Sequence, residues 1–239
     1  MESGHALGGA WVRGRSARRF CRRLRRDASG GPTMEFALVA PAVVALLLAI
    51  LHIALIYLAQ EGLETAVEAS SRLILTGSAQ TLQLGSGTGA YTGMKAADFK
   101  TAVCSGISGK DSSGAAVTYP ASLPPFLTCN RLYVNVQVVP ATCTTPTITT
   151  PNFTYANGTL ASTGTGYGQS NCAGTTNTNG GISGTQKSLV IVQLIYLWPT
   201  VSAPLGLNFV NQANGNRMLV ATSVVTVEGY LCATGVTSC

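Results

Sequence analysis

The apolar positions of this chain fall into sharply different regimes. Residues 36–59 read FALVAPAVVALLLAILHIALIYLA, 24 residues without Asp, Glu, Lys or Arg. At about 1.5 Å of rise per residue the run spans ~36 Å, enough to cross a ~30 Å hydrocarbon core with some tilt. Pro41 falls near its start, where a missing N–H costs least. Beyond Ala59 the pattern becomes one-sided. Leu63, Ala66, Val67, Ser70, Leu73 and Ile74 recur at helical spacing, with Glu61, Glu64, Glu68 and Arg72 on the other side. This predicts one long helix over 33–76, apolar all round in its first half and amphipathic in its second. Gly77 and Gly85-Ser-Gly-Thr-Gly89 end it in a loop, and 96–107 predicts a second, short helix that ends at Cys104 or soon after.

Further on, the period drops to two. In 131–139 Leu132, Val134, Val136 and Val138 face one way and Tyr133, Asn135 and Gln137 the other, which predicts a strand. Residues 188–198 are apolar on both faces, as in a central strand, and Pro199 ends them. Residues 217–227 are rich in β-branched side chains and follow a turn at Asn214-Gly-Asn216. Between the first two strands, 140–187 holds fourteen Thr and a single charge, Lys187. So long a connection is either a disordered surface excursion or an elaboration tied by Cys143 and Cys172. Asn152-Phe-Thr154 and Asn157-Gly-Thr159 match the glycosylation sequon, a short pattern that arises readily by chance. The fold class expected is α+β: a long membrane helix continuing into an amphipathic one, packed on a small antiparallel sheet.

Charge fixes an orientation. The formal net charge is +6, and residues 1–30 carry all of it: eight Arg against Glu2 and Asp27. The remainder is balanced, so it has no electrostatic case for binding nucleic acid. The Arg cluster directly before the apolar run places the N-terminus in the cytoplasm and 60–239 outside, by the positive-inside rule. A cleaved secretory signal is the rival, but its apolar region is shorter, and Ala59-Gln-Glu-Gly62 is a poor cleavage site. The cysteines agree with that topology. Cys21 lies on the cytoplasmic side, while Cys104, Cys129, Cys143, Cys172, Cys232 and Cys239 lie beyond the membrane, where disulfides persist. Six cysteines permit fifteen pairings, and spacing does not choose among them.

Catalytic chemistry finds little to work with. His5 and His52 are the only histidines, and neither CxxC nor a Cys/His cluster occurs, so a metal is not expected. Glu228 has no second carboxylate near it in sequence, and no Gly-Lys-Ser/Thr follows the glycines at 85–89. No enzyme activity and no cofactor are expected. His52, in the apolar run, is read as a bundle-facing residue able to contact a partner helix. Tyr196 and Trp198 are read as packing residues.

The stretch Arg26-Asp-Ala-Ser-Gly-Gly-Pro-Thr-Met-Glu-Phe-Ala-Leu-Val-Ala-Pro41 is the informative one. Taken alone, Glu35 is an acid favoured by the dipole at a helix start, with Ser29 or Thr33 as cap. Yet Gly30, four residues, Glu35-Phe36 and then an apolar helix resemble the signal of type IV-like prepilins. More narrowly the pattern resembles the TadE-like minor pilins (pseudopilins) of the tight-adherence pilus system. Ile195-Tyr-Leu-Trp-Pro199, Pro204-Leu-Gly-Leu-Asn208, Arg217-Met-Leu-Val-Ala-Thr222 and Cys129-Asn-Arg-Leu-Tyr-Val-Asn-Val-Gln137 resemble further blocks of that family.

The resemblance implies a pilin-like fold and three segments: a leader, 1–30; a prepilin-type N-terminus and transmembrane helix, 31–59; and an extracytoplasmic α+β domain, 60–239, with the 140–187 insertion. It implies cleavage between Gly30 and Gly31 by a prepilin peptidase, which would remove all eight leader Arg. Glu35 would then be the fifth residue of the mature chain, beside Phe36, and pair with the free amine of a neighbouring subunit. The implied partners are that peptidase, the major pilin and other minor pilins, the inner-membrane assembly platform and membrane lipid. The implied place is the bacterial inner membrane, crossed once, with the C-terminal domain periplasmic and the subunit either at the pilus base or within the filament. Two other classes stay open: an unprocessed membrane-anchored binding module that recognises a ligand through 140–187, and a tethered envelope enzyme.

Overall fold

The structure, a computed structural model, describes residues 31–86, 91–148, 152–156, 159–163, 167–170, 172–173, 187–200, 208–212 and 215–228. Helix α1, Gly31–Leu75, is 45 residues long and runs through Pro41. Between Gly31 and Gly62 no glycine interrupts it, and Ala and Leu, both strong helix formers, dominate. Thr33–Leu75 is long and apolar enough to cross a membrane. The chain divides into two compact units, Met1–Ile50 and Leu51–Cys239. In the first, the described residues are the opening turns of α1, whose large apolar side chains stand exposed.

In the second unit the amphipathic half of α1 builds the core. Ile56, Ala59, Leu63, Ala66, Val67, Ser70 and Ile74 form one buried stripe at three- and four-residue spacing. Glu61, Glu64, Glu68 and Arg72 stay exposed on the opposite side, as the sequence pattern predicts. Gly77, in the left-handed region at φ 75°, turns the chain out of α1. A short helix, α2 (Ser78–Thr81), follows at once.

A first sheet comes next. Its strands are β1 (Gln83–Leu84), β2 (Tyr91–Thr92), β3 (Ile107–Lys110) and β4 (Ala116–Tyr119), in the order β2-β1-β3-β4 and antiparallel throughout. Helix α3, Ala96–Ser105, precedes β3. It ends at Ser105, just past Cys104 as the pattern suggests, and Gly106 follows at φ 80°, where a Cβ would stand 2.6 Å from the Tyr119 carbonyl oxygen. The turn between β3 and β4 is organised by Asp111, whose carboxylate accepts from the Ser113 hydroxyl and from the Ser113 and Ala115 amides. Those bonds, the Ser113 hydroxyl foremost, hold the Asp111 carboxyl below its ordinary pKa.

The second sheet packs on α1 and α3. It comprises β5 (Leu132–Val139), β8 (Tyr167–Ser170), β9 (Leu189–Pro199) and β10 (Asn216–Thr226), in the order β10-β9-β5-β8. β9 is central, antiparallel to β10 from Asn216↔Pro199 to Thr226↔Leu189 and to β5 from Leu132↔Tyr196 to Val139↔Leu189. β8 joins β5 in parallel. One face carries Leu132, Val136, Val138, Val190, Val192, Leu194, Tyr196, Leu219 and Ala221 into the core with Phe99, Ala102 and Val103 of α3. The other face of β5 is covered too: Asn135 and Gln137 are both buried. Asn135 Nδ2 donates to Gln193 Oε1 at 2.8 Å, and Gln193 Nε2 donates to Thr222 Oγ1 at 3.3 Å, so two amides and a hydroxyl in register across three strands form a hydrogen-bonded row.

Within 140–187 the described residues include a hairpin of β6 (Asn152–Ala156) with β7 (Thr159–Thr163), and also β8. Pro146 bridges to Cys172, and Cys143 is disulfide-bonded to Cys172, so the insertion is a tied elaboration rather than a plain excursion. The sequon asparagine Asn152 opens β6, while Asn157 lies outside the described residues.

Candidate functional site

The residues singled out at the N-terminus sit at the first turns of α1. Gly30 lies outside the described residues, and Gly31 is the first described residue of the helix. Among the described residues nothing approaches within 4 Å of the place a Gly31 Cβ would take. Glu35 and Phe36 are exposed, Phe36 at 72%. Gly31 and Glu35 are four residues apart on a continuous helix, so the backbone nitrogen of one and the carboxylate of the other share a face. The site is thus a carboxylate one turn into a long apolar helix, open to a partner from outside.

His52 lies further along α1. Its Nε2 is buried and meets no hydrogen-bonding atom among the described residues, and its ring lies 5.1 Å from that of Phe209. Above it, α1 and the edge strand β10 enclose two clefts. One, about 420 Å³, is lined by Ile53, Ile56, Tyr57 and Gln60 of α1, by Phe209 and by Arg217 near the start of β10. The other, about 340 Å³, runs between Glu64 and Glu68 and the Val220 to Ser223 part of β10. Gln60 Nε2 bridges them, donating to Glu64 Oε1 at 2.8 Å and to the Val220 carbonyl at 3.1 Å.

Of the six cysteines expected beyond the membrane, the fold pairs Cys104 with Cys129 and Cys143 with Cys172, each with Cα atoms 5.7 Å apart. Cys232 and Cys239 lie outside the described residues. The first bond joins the last turn of α3 to the short 3-10 turn Cys129–Arg131 that leads into β5. A second tie holds the same turn. Tyr196, paired with Leu132 across the sheet, receives the Thr128 amide on its hydroxyl at 3.1 Å and meets the Thr128 hydroxyl at 3.2 Å. So Tyr196 does more than pack, while Trp198, 6.3 Å from it ring to ring, leaves its Nε1 buried and unpartnered among the described residues. Nothing in the spacing of Tyr196 pointed to this bond; it depends on strand register.

Tyr196→Phe tests the tie. It keeps the ring but leaves the Thr128 amide without an acceptor, and is expected to cost about 1–2 kcal/mol in a urea titration of the detergent-solubilised chain. An unchanged midpoint would mean that water replaces the phenol at no cost.

Among the described residues, no three His, Cys, Asp or Glu side chains converge in a way that could hold a metal ion. No curated protein and no solved structure matches the chain. The model of the TadE-like protein family matches residues 31–72, a stretch that starts at the first described residue of α1 and ends within its last turn. Over that helix, with its exposed Glu35-Phe36 opening and its apolar span, the chain is similar to TadE-like proteins.

Proposed function

We propose that the chain is a minor pilin or pseudopilin of a tight-adherence, type IV-like pilus. In this reading a prepilin peptidase cuts between Gly30 and Gly31, and the subunit then takes part in pilus assembly through α1. The observation that carries it is the TadE-like match, which begins at Gly31, the residue that would open the mature chain, and runs along α1 to Arg72. Cutting there removes a segment with eight Arg and leaves an apolar helix opened by one carboxylate. Removing the leader charges changes what the helix end tolerates, since an Arg-rich arm holds that end at a membrane surface.

The mature amine and Glu35 are the assembly chemistry. A carboxylate taken into an apolar bundle is costly unless a cation meets it, and a neighbour's free N-terminus is such a cation. The match then supplies register as well as attraction, because only one stagger of parallel helices brings the two together. Phe36 and the apolar residues after it supply the helix-to-helix surface. Partners on this reading are the peptidase, the major pilin, other minor pilins and the inner-membrane platform. The role is that of substrate and structural subunit, with no catalysis of its own.

Sidedness follows from the leader. Its Arg residues stay on the cytoplasmic face, so the unit carrying Cys104–Cys129 and Cys143–Cys172 lies on the far side, where such bonds persist. The deciding experiment is intact mass and N-terminal sequencing of membrane-extracted protein from strains with and without the peptidase. A start at Gly31 only in the first strain supports the proposal. An Arg-rich N-terminus in both strains would overturn it and favour the static anchor.

A further inference from the structure

The second sheet ends on one side at β10, which is hydrogen-bonded to β9 alone among the strands. In an antiparallel pair the N–H and C=O of one residue point to the same side, and successive residues alternate sides. Three contacts show which residues of β10 point away from β9. Met218 N donates to Asn211 Oδ1 at 2.7 Å, and Asn211 Nδ2 donates to the Met218 carbonyl at 3.3 Å. Gln60 Nε2 donates to the Val220 carbonyl at 3.1 Å. Just past the strand, Glu228 N donates to the Leu75 carbonyl at 3.0 Å. Val227, between, faces the other way, since its N donates to the Ser188 carbonyl. By the same alternation Thr222, Val224 and Thr226 point their peptide groups outward.

This edge is closed at both ends and open in the middle. Asn211 gives Met218 the donor and acceptor that a neighbouring strand would give, Gln60 takes the Val220 carbonyl, and the Glu228 amide is held by Leu75. The peptide groups of Thr222, Val224 and Thr226 have no outward partner among the described residues. All three residues are exposed, Val224 at 56%. Edges are usually blunted by a charge, a proline or a bulge. Thr222-Ser-Val-Val-Thr226 holds no charge and no proline, and its register with β9 is unbroken. Such an edge is a template for an added strand.

α1 walls the groove beside it. Gln60, Glu64 and Glu68 follow at four-residue steps along one flank of the helix, past the end of the apolar run at Ala59. The 340 Å³ cleft separates Glu64, Val67 and Glu68 from Val220 to Ser223, and no basic side chain lines it among the described residues. A strand added to β10 turns every second side chain toward that wall, a repeat of about 6.6 Å. Glu64 and Glu68 stand about 6 Å apart along the helix axis. Two basic residues with one residue between them therefore match the two carboxylates. The same carboxylates disfavour a second copy of this chain: two β10 edges paired about a two-fold axis bring four glutamates toward one seam, and 218–227 carries no cation to offset them.

We propose that the β10 edge receives a strand from a partner protein, an extended segment with Lys or Arg at two alternate positions that bonds to Thr222, Val224 and Thr226 and faces Glu64 and Glu68. The surface belongs to the folded unit, so it stands apart from cleavage between Gly30 and Gly31. Amide exchange and peptide binding on the full-length chain in non-ionic detergent test it. In the free chain the amides of Thr222, Val224 and Thr226 are expected to exchange at least ten-fold faster than those of Ala221, Ser223 and Val225, which face β9. Slow exchange at all six would mean that the chain itself or a second copy already holds the edge, and would overturn the proposal. The probe is the labelled peptide Thr-Val-Lys-Val-Lys-Val-Thr, followed by fluorescence anisotropy. It is expected to bind and to slow the three outward amides at least five-fold. Replacing both Lys by Glu, or N-methylating the central Val, is expected to weaken binding at least ten-fold. Glu64→Lys with Glu68→Lys is expected to reverse the preference between the Lys and Glu peptides, and tight binding of the Glu peptide would itself show that this variant is folded. The peptide comparison on the unmodified chain decides without it. No binding of the Lys peptide, or binding that N-methylation leaves unchanged and that slows no outward amide, would overturn the proposal.

Discussion

Glu35→Gln is expected to leave the chain in the membrane and processed, yet to cut its association with neighbouring pilins by about 100-fold or more. The substitution preserves shape and removes the charge. If the carboxylate meets a neighbour's amine in the bundle, losing one partner leaves the other charge buried and alone, at a cost of about 3–5 kcal/mol. Since ~1.4 kcal/mol is ten-fold in an equilibrium, two to three decades follow. The readout is the yield of crosslinked complexes with the other pilins, measured alongside the N-terminal sequence. Glu61→Gln is the control: it removes a carboxylate from the exposed side of the same helix, in the amphipathic half. Equal yields for Glu35→Gln and the unmodified chain would show that Glu35 serves only as a favourable acid near a helix start, a matter of less than ~1 kcal/mol.

The Cys104→Ser, Cys129→Ser double variant is expected to lose about 3–4 kcal/mol of stability, read as a lower urea midpoint in the detergent-solubilised chain. The bond closes a loop of 25 residues, and the chain-entropy model gives this size of effect for such a loop. Both cysteines also pack partly buried against the core, so the serines place hydroxyls against apolar neighbours. The bond lies where α3, the turn at 129–131 and β5 converge. The double variant at Cys143 and Cys172 makes the comparison. Its loop of 29 residues is as long, but it ties the insertion to itself, outside the core cluster. Its expected effect is confined to the 140–187 region, seen as faster amide exchange there with α1 and β9 unchanged. Equal global destabilisation by both variants would mean that the insertion folds cooperatively with the sheet.

Long and regular elements were legible in the sequence, and short ones were not. α1 follows from an apolar run joined to a three-four stripe, and Ala59, Leu63, Ala66 and Val67 are buried as that stripe requires. β5, β9 and β10 come within about a residue of their pattern, because 8 to 11 residues of β-branched and aromatic side chains leave little choice. The first sheet escaped notice. β1 and β2 have two residues each, and β3 reads Ile-Ser-Gly-Lys, with a glycine in its middle. Gly109 is there because a Cβ would stand 2.6 Å from the Gln83 carbonyl oxygen, a contact between segments far apart in the chain. Alternation likewise separated Asn135 and Gln137 from the valines of β5, yet did not reveal that both faces are covered.

The proposed site divides along the same line. Glu35-Phe36 stands out because one carboxylate opens a long uncharged run, a local feature. The pairing of Cys104 with Cys129 depends on where α3 and the start of β5 come to rest, which spacing along the chain does not encode. The Tyr196 hydroxyl on Thr128 depends on strand register, and the descent of Phe209 to His52 on how a loop folds back against a helix.

The two crosslinks also set how far the subunit can stretch. In the proposed role the subunit would bear tension, and an unfolding domain lengthens by the chain it releases. The loops closed at Cys104–Cys129 and Cys143–Cys172 hold back 25 and 29 residues of sequence separation. At ~3.4 Å per extended residue, roughly 180 Å of contour is kept out of any extension while the bonds last. A reducing environment would release that length, so under equal pull the oxidised subunit behaves as a short tether and the reduced one as a long one.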